Sequence, residues 1–169
     1  VTGVQTCALP ILTMAPVGLE TVQSGDATGV LMGGTLTMLC ASLGTPFAFN
    51  PPEGCVLFLE DINERPYRIE RMLTQLSQAG VLEKAAALVF GEMRGCDEPD
   101  GGVKARFVVE QLAESFSGPI LHGFPSGHTT GPNWSLPLGV QVRVEASAGP
   151  ALHIEESPRS EEHTSELKS

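Results

Sequence analysis

The chain has 169 residues, a formal net charge of −10 and 41% hydrophobic residues, the size and apolar content of one ordinary folded domain. Wholesale disorder is excluded by that apolar content, and a general nucleic-acid binder by the acidic balance, because such a binder needs a basic face to displace counterions. No run of about 18 apolar residues is present, so no helix is expected to span a membrane.

In chain order, Leu36, Leu39, Cys40 and Leu43 recur at helical spacing, and Gly44 with Pro46 ends that run. Upstream of it, Ser24-Gly25-Asp26 reads as a polar turn. The run Cys55–Leu59 is continuously apolar and predicts a buried strand that ends at Glu60. Pro66 suits the first turn of a helix, and Ile69, Met72, Leu73, Leu76 and Ala79 form one apolar stripe, with Gly80 as its C-terminal stop. Ala85–Phe90 reads as a second buried strand, followed by a polar loop over 92–102. A third helix is predicted over 103–116 and a third strand over 119–124. Val140, Val142 and Val144, then Leu152 and Ile154, alternate with other residues around Ala148-Gly149-Pro150, the pattern of an antiparallel hairpin. The order helix, strand, helix, strand, helix, strand, hairpin predicts an α/β fold: a small mixed sheet or partly open barrel with flanking helices and a C-terminal β-hairpin.

The four cysteines, Cys7, Cys40, Cys55 and Cys96, match neither a zinc site nor a C-x-x-C pair and read as reduced, buried thiols of a cytoplasmic protein. Ala8 to Val17 imitates a signal peptide only superficially, because no Lys or Arg precedes it. The two ends read differently from the rest. Residues 1–11, V-T-G-V-Q-T-C-A-L-P-I, and 159–169, R-S-E-E-H-T-S-E-L-K-S, resemble the two strands of one sequencing adaptor in translation, with Lys168 where Gln is expected. On that reading both are foreign, Cys7 and His163 leave the functional argument, and 12–158 is the genuine segment of a longer protein.

Chemistry is expected at the C-terminal ends of the strands, where sites in α/β sheets gather. The first of them delivers Glu60 and Asp61, and the third delivers Pro125-Ser126-Gly127-His128. A carboxylate beside an imidazole is half of a nucleophilic triad. The plainer alternatives are a solvated strand-end Glu60 and a His128 that hydrogen-bonds its own Gly-rich loop. No G-x-S-x-G elbow supplies a nucleophile, and Ser126 reads as a turn residue. Gly29, Gly33 and Gly34 form neither a P-loop nor a dinucleotide fingerprint. Glu60, Asp61, Glu64, His122 and His128 include metal-ligating types, but their spacing fits no zincin pattern, so neither metal nor other cofactor is expected.

The blocks G-V-L-M-G-G-T-L-T-M-L, L-G-T-P, V-L-F-L-E-D-I-N-E-R-P-Y-R-I-E-R-M-L-T-Q-L, F-P-S-G-H and L-P-L-G, between Gly25 and Val144, resemble the LD-carboxypeptidase family of Ser-Glu-His peptidases, specifically its C-terminal domain and the segment leading into it. The resemblance implies catalytic Glu60 and His128, with the nucleophilic serine on an N-terminal domain absent from this chain. Thr35 stands where the family usually has Asn. Asp61, Glu64, Tyr67, Arg68 and Arg71 match the family block and are read as supports of the loop and the domain interface. The implied activity is cytoplasmic hydrolysis of the L,D-peptide bond to the terminal D-alanine of murein tetrapeptide, with the isolated chain inactive. The alternatives are an immunity-type carboxypeptidase acting on peptide-nucleotide antibiotics and a non-catalytic binding module. The expected partners are the peptide substrate, the missing N-terminal domain and a second copy in a homodimer, and neither nucleic acid nor membrane.

Overall fold

The computed structural model describes residues 10–156; most of the two adaptor-like segments, together with Cys7 and His163, lies outside the described residues. Eight strands form one mixed sheet in the order β1-β8-β7-β3-β4-β5-β6-β2, flanked by three α-helices. The strands are β1 (Leu12–Met14), β2 (Glu20–Gln23), β3 (Asp26–Thr35), β4 (Cys55–Glu60), β5 (Ala85–Gly91), β6 (Ile120–Phe124), β7 (Gln141–Glu145) and β8 (Ala151–Ile154). The helices are α1 (Leu36–Ser42), α2 (Pro66–Gln78) and α3 (Ala105–Ala113). Strands β3 to β6 pair in parallel, whereas β7, β8, β1 and β2 add antiparallel wings. This is the mixed sheet with flanking helices and terminal hairpin that the alternation of elements predicts.

Strand β4 shows why the sheet is buried on both sides. Its side chains alternate, Leu57 and Leu59 packing with the helices while Val56 and Phe58 face the opposite core. The helical core takes Ile69, Leu73 and Leu76 from the α2 stripe and Val108 and Val109 from α3. The other core joins Val56, Phe58, Val89 and Leu121 of the parallel strands to Val142, Val144, Leu152 and Ile154 of the hairpin. The antiparallel wing therefore curls over the parallel strands and closes their second face. Cys40, Cys55 and Cys96 are buried and unpaired, and burial pushes the Cys40 thiol up to about 11.

The first three strands depart from the sequence reading. Asp26 opens a ten-residue strand rather than completing a turn; only Ser24 and Gly25 make the bend between β2 and β3. Strand β3 is central, pairing β4 on one side and β7 on the other. Its glycines are what closeness to β4 demands: a Cβ on Gly33, which has a φ of 131°, would lie 1.9 Å from the Phe58 carbonyl oxygen. The third predicted helix is also shorter, ending at Ala113 instead of Phe116.

Candidate active site

The parallel strands end on one edge, and three of those ends build the site. Glu60 closes β4, Thr35 lies opposite it at the end of β3, and the loop after β6 brings His128 over the same carboxylate. Glu60 is buried, contrary to the plain expectation for a strand-end glutamate. Its Oε1 accepts the Thr35 hydroxyl at 2.6 Å. Its Oε2 lies 2.8 Å from His128 Nδ1 and accepts the His128 backbone N–H at 3.0 Å. Burial pushes the Glu60 carboxyl up, but these hydrogen bonds outweigh it and hold the group below the usual carboxylate range.

An ionised Glu60 can only accept, so the proton on His128 sits on Nδ1 and Nε2 keeps the lone pair. The His128 side chain is 47% exposed, against 5% for that of Glu60, so the imidazole is anchored at one nitrogen and open to a reacting group at the other. Backbone permits the approach. Gly127 has a φ of 78°, and a Cβ there would sit 2.6 Å from the Glu60 carboxyl carbon.

Neighbouring residues brace this pair. Asp61, also buried, accepts the Thr37 backbone N–H at 2.9 Å and its hydroxyl at 2.8 Å, tying the first turn of α1 to the end of β4. Half-buried Glu64, just before α2, pairs with Arg68 at 3.3 Å, and Arg68 also donates to the Tyr67 hydroxyl at 3.0 Å on the exposed first turn of α2. Arg71 is exposed. Ser126 is buried in the turn, its backbone N–H donating to the Phe124 carbonyl at 2.9 Å. Among the described residues, no group of three His, Cys, Asp or Glu side chains is placed to hold a metal ion.

Two contributors escape the sequence reading. Thr35, noted in the sequence only as standing where the family usually has Asn, is part of the site through its bond to Glu60. Glu92, just past β5, accepts the hydroxyls of Thr129 and Thr130 at 2.6 and 3.0 Å and the Thr130 backbone N–H at 2.9 Å. It thereby pins the loop immediately after His128. The only signal is a carboxylate at the end of a buried strand, the same signal that points to Glu60.

Residues 28–144 match the family model described as the LD-carboxypeptidase C-terminal domain. The probable murein peptide carboxypeptidase of Bacillus subtilis (strain 168) is 35% identical over 130 residues, covering 76% of this chain and 40% of that protein. The crystal structure of muramoyltetrapeptide carboxypeptidase from Oxalobacter formigenes matches with a TM-score of 0.72 at 35% identity, over 88% of this chain and 50% of that one. The microcin C7 self-immunity protein MccF of Escherichia coli is 29% identical over 122 residues, 72% of this chain and 35% of that protein. The structure of MccF in complex with glutamyl sulfamoyl guanosine matches 85% of this chain and 42% of that one, with a TM-score of 0.74 at 26% identity. The chain thus spans well under two thirds of the proteins it matches, 40% of the Bacillus relative among them.

Proposed function

The chain belongs to the LD-carboxypeptidase family, of which it holds the C-terminal domain, and from that premise we propose that Glu60 and His128 are the carboxylate and imidazole of a serine peptidase. The observation that carries this reading is the 2.8 Å contact between Glu60 Oε2 and His128 Nδ1 beneath a half-exposed ring. In the proposed reaction His128 Nε2 takes the proton of an attacking serine hydroxyl and delivers it to the leaving amine. The ionised Glu60 holds the ring in the productive tautomer and stabilises the imidazolium. The serine and the oxyanion donors are assigned to the N-terminal part of such proteins, which the match does not cover, so the chain by itself is expected to be inactive.

The proposed bond is the L,D-peptide bond before the terminal D-alanine of a murein tetrapeptide, cleaved in the cytoplasm. The murein and muramoyltetrapeptide carboxypeptidases among the relatives support that choice. A second reading, an immunity-type enzyme acting on an aminoacyl nucleotide, is favoured by the likeness to the MccF complex. The test is a protein in which this chain is joined to an N-terminal domain of the family. It is expected to release D-alanine from the tetrapeptide, and His128→Ala and Glu60→Gln are expected to lower kcat by at least about 10³-fold. Cleavage of aminoacyl sulfamoyl nucleosides in its place selects the second reading. Unchanged turnover in both variants refutes the assignment, and turnover by the isolated chain refutes the location of the serine.

A further inference from the structure

A cleft of about 730 Å³ opens beside the His128 loop, within the size range of ligand sites. Neither Glu60 nor His128 lines it, but Thr130 of the loop that follows His128 does. Glu92, which pins Thr129 and Thr130, lines it, as does Asn63, whose backbone N–H donates to the Arg94 carbonyl at 2.9 Å. Its floor includes His122 of β6, which the sequence reading considered only as a metal-ligand type.

The charges in this cleft are unequally committed. Each of its carboxylates is already held by donors of the protein. Asp97 accepts the backbone N–H of Ala105 at the start of α3 at 2.9 Å, Glu98 accepts Arg65 at 3.4 Å, and Glu92 accepts the two threonines. Two of the cations are likewise engaged: Arg65 by Glu98, and Arg106 by Glu20 and Glu110. Arg94 and Lys104 line the same cleft and form no ion pair within salt-bridge distance among the described residues. His122 adds a buried Nε2 with no hydrogen-bond partner among the described residues. Buried polar atoms are rarely left without a partner. Burial, and next the Arg106 charge, hold the His122 imidazole below its usual pKa, so near neutral pH it is a neutral group able to donate one hydrogen bond.

We propose that this cleft is a carboxylate-binding subsite in which Arg94 and Lys104, with His122, receive the carboxylate of a peptide substrate whose scissile bond lies over His128. The choice of a carboxylate over a phosphate follows from the lining. It holds Arg94 and Lys104 without an ion pair beside three carboxylates, Glu92, Asp97 and Glu98, whose negative field repels a doubly charged phosphate more than a singly charged carboxylate. An arginine also offers the paired N–H donors that a planar carboxylate accepts. The inference rests on the peptidase reading for the substrate's placement, but not for the existence of the anion site.

The test uses the full chain, labelled for NMR of its arginine and histidine side chains, at pH 7 and constant ionic strength. N-acetyl-D-alanine is expected to shift the Arg94 and His122 signals saturably, and its neutral amide to bind at least tenfold more weakly. The double variant Arg94→Ala/Lys104→Ala is expected to lose that preference while its unliganded His128 signals stay in place. Absence of a saturable shift, an equal response in the double variant, or tighter binding of inorganic phosphate overturns the proposal. A longer D-alanine-terminated peptide separates the two readings. If it perturbs His128 and leaves His122 silent, the subsite is refuted and the peptidase reading stands. If N-acetyl-D-alanine binds at Arg94 and the peptide leaves His128 unmoved, the anion site stands and the peptidase placement falls.

Discussion

A buried carboxylate holds its charge only when enough donors surround it. At Glu60 three donors come from two places in the chain: His128 supplies its backbone N–H and its ring, and Thr35 supplies its hydroxyl. Thr35→Val keeps the β-branched shape and removes the hydroxyl, leaving Oε1 short of a donor. Hydrogen bonds to charged groups contribute about 1.5–3 kcal/mol, so in the enzyme completed by an N-terminal domain kcat is expected to fall roughly 10- to 100-fold. Steady-state kinetics would show the loss in kcat with KM little changed; a loss confined to KM would contradict a positioning role for Thr35. Gly127→Ala attacks the same geometry from the opposite side. The added methyl cannot coexist with the Glu60 carboxyl at 2.6 Å, and the residue must also hold a φ of 78°. The expected outcome is displacement of the His128 ring, read as loss of its low-field imidazole N–H signal in a chain that remains folded by circular dichroism.

At the scale of elements, α2 is the clearest case of sequence dictating structure. Its stripe from Ile69 to Leu76 buries completely or nearly so against β4 and β5. Leu76→Ala is therefore expected to cost about 2–5 kcal/mol, measurable by urea unfolding, whereas substitutions at exposed Gln75 are expected to be nearly silent. Strand β4 adds a pH dependence. The folded Glu60 carboxyl lies below its ordinary value of 4.5, so its contribution to stability is fully present above that value and is lost as pH falls through the depressed one. Glu60→Gln is expected to flatten the acid limb of the stability curve, and an unaltered limb would show that other carboxylates, Glu92 among them, dominate it. The long apolar runs of α2, β4 and β5 were legible because period and length suffice to read them. Strand β3 was not. Its glycines and its threonines erase the alternation, and its place at the centre of the sheet comes from pairing with β4 and β7, residues far along the chain. The same limit applies to the site. Glu60 and His128 could be read from their positions at strand ends, while Thr35 and Glu92 join them only through contacts that folding creates across 25 and 37 residues.

For the whole molecule, two covered sheet faces coexist with a bare apolar region. Met38 of α1 is 66% exposed, Phe47 in the loop after it 91%, and Tyr67 in the first turn of α2 54%. Met38 and Tyr67 lie on the helices that follow the strand ends carrying Thr35 and Glu60, and Phe47 in the loop that leads from α1 to the start of β4. Isolated exposed apolar side chains are ordinary, but several on neighbouring elements mark a surface that a partner covers. In the proposed full enzyme that partner is the serine-bearing domain. The isolated chain is accordingly expected to self-associate as its concentration rises, with Phe47→Ser and Met38→Gln together restoring a monomer in sedimentation equilibrium. Because both side chains already face solvent, their removal is expected to leave the thermal midpoint unchanged, which separates a surface effect from a folding defect. Covalent attachment of an N-terminal domain is expected to suppress association without either substitution. A wild-type chain that stays monomeric at high concentration would mean that this apolar region is simply solvated, and that the domain bearing the serine approaches His128 from another side.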